Sequence, residues 1–138
     1  MTVFIEIFNS QLSDGEMTEI KDTVTGELSF EDNRPVLSYE EKKLGGQTAV
    51  TLTGSDFVTV KRVNSGFNTE MTFQRGRACE CVYFTPYGEI ALETKTYSVV
   101  SLIEENSGYI ELDYDILQGG VKQSHNKMKI SFSEEKDV

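Results

Sequence analysis

Apolar and polar residues alternate with a period of two along almost the whole chain, and a helical period is nearly absent. Val3, Ile5 and Ile7 share one face. Ile20, Val24, Leu28 and Phe30 share another, against Glu19, Lys21, Thr23, Thr25 and Glu27. Phe67, Thr69, Met71 and Phe73 oppose Asn68, Glu70 and Thr72, and Ile110, Leu112, Tyr114 and Ile116 oppose Glu111, Asp113 and Asp115. Met128, Ile130 and Phe132 close the series against Lys127, Lys129 and Ser131. Each segment can bury one face and wet the other, which is the pattern of an antiparallel sheet. There is no helical stripe to bury.

Short turn signals separate these segments: Leu12-Ser-Asp-Gly-Glu16, Glu31-Asp-Asn-Arg-Pro35, Leu44-Gly-Gly46, Thr53-Gly-Ser-Asp56, Asn64-Ser-Gly66, Thr85-Pro-Tyr-Gly88 and Asn106-Ser-Gly108. Gln118-Gly-Gly120 through Asn126 reads as a longer loop. The spacing predicts about eight to ten short strands, hence an all-β sandwich or barrel. The turns suit sequential hairpins, whereas Greek-key connections need longer crossings, so a single antiparallel up-and-down barrel is expected. Closure also removes the sheet edges that invite aggregation.

The barrel is expected over residues 1–133, with 134–138 as a frayed tail. Gly26, inside a long strand, predicts a bulge or bend. The stretch from Phe73 to Leu92 is a strand–corner–strand element that offers Phe73, Val82, Phe84, Ile90 and Leu92 to the core.

Composition narrows the function classes. The longest apolar run, Cys81-Val-Tyr-Phe84, is far short of the ~18 residues that span a bilayer as a helix. The N-terminal Met1-Thr-Val-Phe-Ile-Glu-Ile-Phe8 has neither the basic start nor the apolar block of a signal peptide, which predicts a cytoplasmic protein. A net charge of −10 repels nucleic acid and anionic lipid, so neither is expected as a partner. The acidic surface serves solubility or a basic partner.

Cys79 and Cys81 share a strand face at a rise of roughly 6.6 Å, whereas disulfide β-carbons stand ~3.8 Å apart. Reduced thiols are the expectation. The single histidine, His125, falls in the polar loop and reads as solvated. With the two cysteines it makes three soft ligands, one short of a tetrahedral zinc set. No triad signature is present, and Gly45-Gly46 and Gly119-Gly120 lack the Lys-Ser/Thr of a phosphate loop. No metal, no cofactor and no enzymatic activity are therefore expected. The carboxylates of Glu111, Asp113 and Asp115 lie too far apart for one ion and read as the wet side of a strand.

Several stretches carry a family resemblance through their order rather than any one motif. They are Leu37-Ser-Tyr-Glu-Glu41, Gly46-Gln-Thr48, Val60-Lys-Arg62 with Gly66, and Phe73-Gln-Arg-Gly76. Tyr83-Phe-Thr-Pro-Tyr-Gly88, Thr94 or Thr96, Gly108-Tyr-Ile-Glu-Leu-Asp-Tyr114 and Asn126-Lys-Met-Lys-Ile130 follow. In this order the chain resembles the YwiB-like family, a bacterial domain of unknown function. The resemblance implies a calycin, or lipocalin-like, barrel in a bacterial cytoplasm and transfers no catalytic residue.

Lumens of calycin barrels hold small molecules, which gives weight to charges that share a parity with apolar residues. Asp22 is in register with Ile20 and Val24, Arg62 with Val58 and Val60, and Glu80 with Ala78, Val82 and Phe84. Inside a barrel such charges must pair or meet a ligand. The candidate ligand-binding residues are therefore Arg62, as anchor for an anionic group, with Tyr39, Tyr83, Glu80 and Asp22. The expected protein, monomer or homodimer, binds a small partly apolar or anionic ligand in the barrel. The alternative is a filled barrel that meets a basic partner through its acidic surface.

Overall fold

The computed structural model describes residues 1–41, 45–64 and 66–134. Among them are ten strands: β1 Thr2–Ser13, β2 Glu16–Glu31, β3 Arg34–Glu40, β4 Gln47–Gly54, β5 Phe57–Asn64, β6 Phe67–Gln74, β7 Ala78–Thr85, β8 Gly88–Ile103, β9 Ser107–Gln118 and β10 Val121–Glu134. Each pairs antiparallel with the next, and β10 returns to β1, which closes an up-and-down barrel. The fold class read from the alternation is the one observed.

The turns explain the order. Asp14-Gly15, Asp32-Asn33 and Gly119-Gly120 are two-residue connections with positive φ at both positions, from 50° to 79°. That is the type I′ geometry whose twist matches a hairpin. Gly119-Gly120 leads directly into β10, so the loop expected through Asn126 is strand from Val121 onward. Leu44 and Ser65, in two of the expected turns, and 135–138 of the expected tail lie outside the described residues. Glu134 is the last residue of β10 and pairs with Val3.

Gly26 makes no bulge. It sits in unbroken register opposite Val3 on one side and Tyr39 on the other. A β-carbon there would lie 2.4 Å from the Ser38 carbonyl oxygen and 2.6 Å from Ile5 Cδ1. Close approach of β1 and β3 is what requires glycine.

The bulges fall elsewhere, at Tyr97 between Thr96 and Ser98, and at Gln123 between Lys122 and Ser124. A further shift lies between Leu52 and Gly54. The β6–β7 ladder is short, with Asn68↔Phe84 and Thr69↔Tyr83 as its pairs among the described residues. Beyond it β8 holds the wall: Thr94 Oγ1 donates to the Thr72 carbonyl at 2.7 Å, and Gly76 N–H donates to the Thr96 carbonyl at 2.9 Å.

The inward parity is Val3, Ile5 on β1; Val24, Leu28 on β2; Val58, Val60 on β5; Met71, Phe73 on β6; and Ile110, Leu112, Met128, Ile130, Phe132 on β9 and β10. These residues fill the half of the lumen nearer the chain termini. Toward the opposite end, where the β1–β2 and β9–β10 hairpins turn, the lining becomes polar with buried Thr48 and Thr69; Thr94 and Thr96 on β8 and Ser124 and Asn126 on β10 are buried polar residues as well. The barrel is thus packed at one end and polar at the other.

Ile20 and Phe30 alternate with the core but are exposed, because β2 runs past the barrel at both ends. Of the strand–corner–strand element, Phe73 is buried and Leu92 is partly buried against the core, whereas Val82, Phe84 and Ile90 are exposed. On β7 it is Cys81 that faces in, beside Leu92, and Val82 faces out beside Ala91.

Candidate functional site

Four of the five candidate residues stand at the polar end of the lumen. Asp22, Tyr39 and Arg62 line one pocket of about 230 Å³, whose apolar wall is Ile7, Ile20 and Val24 and whose remaining polar groups are Asn9 and Glu41. Arg62 and Glu41 also line a smaller cavity of about 50 Å³ with Thr48, Thr69 and Tyr83. The Arg62–Glu41 pair is the partition between the two.

Glu80, the fifth, does not belong to the site. It is exposed on the outer face of β7 opposite Glu93, because the parity that enters the lumen is that of Cys79, Cys81 and Tyr83. Both parities of β7 carry apolar residues, so alternation alone leaves the inward face open.

The local geometry follows from the strand ends. Tyr39 and Glu41 share the inward parity where β3 leaves the sheet, and Thr48 opposes Tyr39 in the β3–β4 ladder. Thr48 also opposes Arg62 across the β4–β5 ladder. These registers bring an acid, a base, a phenol and a hydroxyl into one ring position. Thr48 Oγ1 donates to Glu41 Oε1 at 2.9 Å, and Arg62 Nε lies 3.4 Å from that same oxygen.

Electrostatics at this ring are set by desolvation. Burial pushes the Tyr39 hydroxyl up from 10.0 to about 12; Arg62 opposes that shift and Glu41 adds to it. Burial also raises Tyr114, again against the charge of Arg62. Both phenols therefore remain neutral hydrogen-bonding groups. Two buried polar atoms lining the small cavity, Arg62 Nε and Thr69 Oγ1, make no hydrogen bond within the described protein. Buried polar groups ordinarily find a partner, so this end of the lumen has unused hydrogen-bonding capacity.

A second polar constellation lies outside the barrel and escaped the sequence reading. His125 is on β10, not in a loop, and pairs with Asp115 in the ladder. His125 Nδ1 is 2.6 Å from Asp115 Oδ1, and Nε2 is 2.9 Å from Asp113 Oδ1. Tyr97, the bulged residue of β8, donates to Asp115 Oδ2 at 2.6 Å, and Lys122 Nζ lies 3.5 Å from Oδ1. Asp115 is thereby only 5% exposed although its parity faces outward. Burial alone would raise its carboxyl; the hydrogen bonds from Tyr97 and His125 and the charges of Lys122 and His125 outweigh it and hold the carboxyl below its ordinary value. The bulges at Tyr97 and Gln123 aim these side chains, as bulges beside polar sites do. Alternation and charge spacing carry no signal for this, since it depends on the β9–β10 register.

The outward His125 and inward Cys81 are on opposite sides of the barrel wall, so they share neither a metal nor a catalytic pair. Cys79 and Cys81 are unpaired thiols, and burial raises that of Cys81. Among the described residues no group of three or more His, Cys, Asp or Glu side chains is arranged so that it could hold a metal ion. The outer wall carries mixed charge: Lys129 lies 3.3 Å from Glu111, and Lys21, Lys127 and Lys129 line its shallow grooves beside Glu6, Glu111 and Asp113.

Known proteins share this architecture. The crystal structure of the ywiB protein from Bacillus subtilis superposes with a TM-score of 0.86 at 26% sequence identity, over 98% of this chain and 92% of that one. The uncharacterized beta-barrel protein YwiB of Bacillus subtilis (strain 168) is 28% identical over 120 residues, which is 86% of this chain and 84% of that protein. Residues 5–130 match the domain of unknown function DUF1934, nearly the whole barrel from β1 into β10. The closed ten-stranded barrel, the likeness to YwiB and the extent of that match agree: the chain belongs to the DUF1934 family.

Proposed function

We propose that this protein is a cytoplasmic, non-enzymatic binding module that takes one small, partly apolar molecule with an anionic group at the polar end of its barrel. The observation that carries the reading is Arg62. Its guanidinium is part-exposed at a pocket with an apolar wall, while its Nε is buried without a hydrogen bond. A carboxylate or phosphate answers a guanidinium in geometry and charge. Ile7, Ile20 and Val24 offer a surface for an apolar body.

Size argues for a small metabolite. The pocket, at about 230 Å³, falls below the roughly 300–1,000 Å³ that encloses drug-sized ligands. The terminal half of the lumen is filled by Ile5, Phe73 and Ile130, so a ligand occupies the mouth and not the full length of the barrel. The mixed charge of the outer wall gives less support to a basic protein partner. The unpaired thiols of Cys79 and Cys81 are in keeping with a reducing compartment.

Calorimetric titration with hexanoate and benzoate, beside native mass spectrometry of the purified protein, tests this. Saturable binding of either probe that is lost in Arg62→Met, with the fold intact, supports the reading. Binding indifferent to Arg62→Met, or no binding and no co-purifying small molecule, removes it.

A further inference from the structure

Among the described residues, the longest length of strand with a partner on one side alone lies on β2. β2 pairs with the whole length of β1, from Thr2↔Glu27 to Ser13↔Glu16, without a register shift. Its ladder with β3 runs only from Gly26↔Tyr39 to Glu31↔Arg34. Residues 16–25 therefore carry a strand partner on one side alone among the described residues. Those from Glu16 to Lys21 are all exposed, with Ile20 at 47% and Met17 at 58%.

The phase of the ladder says which backbone groups are open. Met1 and Leu28 exchange both of their backbone hydrogen bonds, Leu28 N–H to the Met1 carbonyl at 2.8 Å and the Met1 amino group to the Leu28 carbonyl at 3.1 Å. In an antiparallel pair such residues alternate along the strand. Even-numbered residues of β2 thus turn their amides to β1, and Met17, Glu19, Lys21 and Thr23 turn theirs to the open edge. Thr23 N–H is capped by its neighbour Asp22, whose Oδ1 accepts it at 2.9 Å. Among the described residues, no strand pairs with the amides and carbonyls of Glu19 and Lys21 that face this edge.

We propose that this edge pairs with the same edge of a second copy of the chain, antiparallel, about a two-fold axis at Ile20. Charge selects both the occupant and the register. Two-fold pairing requires the open residues of one copy to oppose those of the other. Centring on Glu19 sets Glu19 against itself, centring on Lys21 sets Lys21 against itself, and centring on Asp22 opposes two carboxylates. Centring on Ile20 sets each Glu19 opposite Lys21 of the other copy, as two hydrogen-bonded pairs with unlike charges directly across. Ile20 then meets Ile20 as a non-hydrogen-bonded pair, the closer of the two kinds, with Cα atoms ~4.5 Å apart. Exposed apolar surface, open amides and complementary charge coincide in one register. Ile20 also rims the 230 Å³ pocket, so the second copy stands at its mouth.

Sedimentation and light scattering on the full chain test the register through charge. Glu19→Lys and Lys21→Glu each replace unlike pairs by like ones and are expected to weaken self-association by about tenfold or more. Mixing these two variants restores the dimer, because every cross-pair is again Lys against Glu. The double variant restores it alone. Cysteine placement gives an independent reading: a ~4.5 Å Cα separation falls within the disulfide range. Ile20→Cys is therefore expected to form a covalent dimer on mild oxidation, whereas Thr18→Cys, opposite Asp22, does not. A wild-type chain that stays monomeric at hundreds of micromolar with no Ile20→Cys cross-link overturns the proposal. So does a dimer that ignores both charge reversals.

Discussion

Arg62 Nε lies 3.4 Å from Glu41 Oε1, buried and without a hydrogen bond, while that same oxygen accepts from Thr48 Oγ1 at 2.9 Å. The base is balanced by the acid but not saturated by it. This leaves Arg62 available to an anion and makes Glu41 its competitor. Glu41→Gln is therefore expected to raise the affinity for hexanoate or benzoate by about three- to tenfold, the scale of removing one nearby like charge at intermediate dielectric. Calorimetric titration of the variant beside the native chain measures it. Unchanged or weaker binding would separate Glu41 from the site.

Tyr39 is expected to contribute to the loss of stability in alkali, beside Tyr114 and Cys81. Its hydroxyl ionises at about 12 in the fold, against 10.0 for an ordinary tyrosine. Below pH 10 both folded and unfolded chains keep the proton. Between about 10 and 12 the unfolded chain releases it and the folded chain does not, so stability falls as pH rises, by on the order of 2–3 kcal/mol for this group. Tyr39→Phe should flatten that limb in urea titrations run across the window. A variant that loses stability in alkali as steeply as the native chain would exclude Tyr39 as a contributor.

Asp115 works at the opposite end of the pH scale. Its folded carboxyl sits below the ordinary value of 3.8, so its stabilisation is complete above that value and drains away as pH falls through the folded one. Asp115→Asn keeps one of the two acceptor oxygens, so it loses the hydrogen bond of either Tyr97 or His125 together with the negative charge, and is expected to cost about 1–3 kcal/mol at neutral pH. The variant should also lose part of the acid sensitivity. Denaturant midpoints at pH 7 and pH 3 compare the two, and an equal drop in both proteins would place the acid response elsewhere.

Gly26→Ala tests why glycine occupies a regular strand. The new methyl meets the Ser38 carbonyl at 2.4 Å and Ile5 Cδ1 at 2.6 Å, and the first of these is backbone that moves only with the β2–β3 ladder. Overpacking of this kind costs typically about 1–3 kcal/mol. Chemical denaturation reads it directly; a neutral or stabilising change would mean that the ladder yields freely.

Much of the candidate site was legible because it sits on the inward parity of clearly alternating strands. Asp22 follows Ile20 and Val24, and Arg62 follows Val58 and Val60, so a charge entering the lumen was visible in each. Glu80 was misplaced for an equally local reason. Val82 and Phe84 make its parity look apolar, yet Cys81 and Tyr83 are the inward ones. When both faces of a strand carry apolar side chains, period two has no preferred phase.

What the sequence determined by itself was the antiparallel all-β architecture and its hairpin order. Alternation sets the strands, and Asp14-Gly15 and Gly119-Gly120 supply the positive φ that two-residue turns demand. Those are local properties, encoded within a few residues. Tertiary structure decided the rest. The closure that opposes Val3 to Glu134 buries the ends of the sheet, and the overhang of β2 beyond β3 exposes Ile20. The register of β9 on β10 turns a histidine expected to be solvated into the partner of Asp115. Each depends on which distant residues lie side by side, and a period of two repeats identically in every register of the same parity.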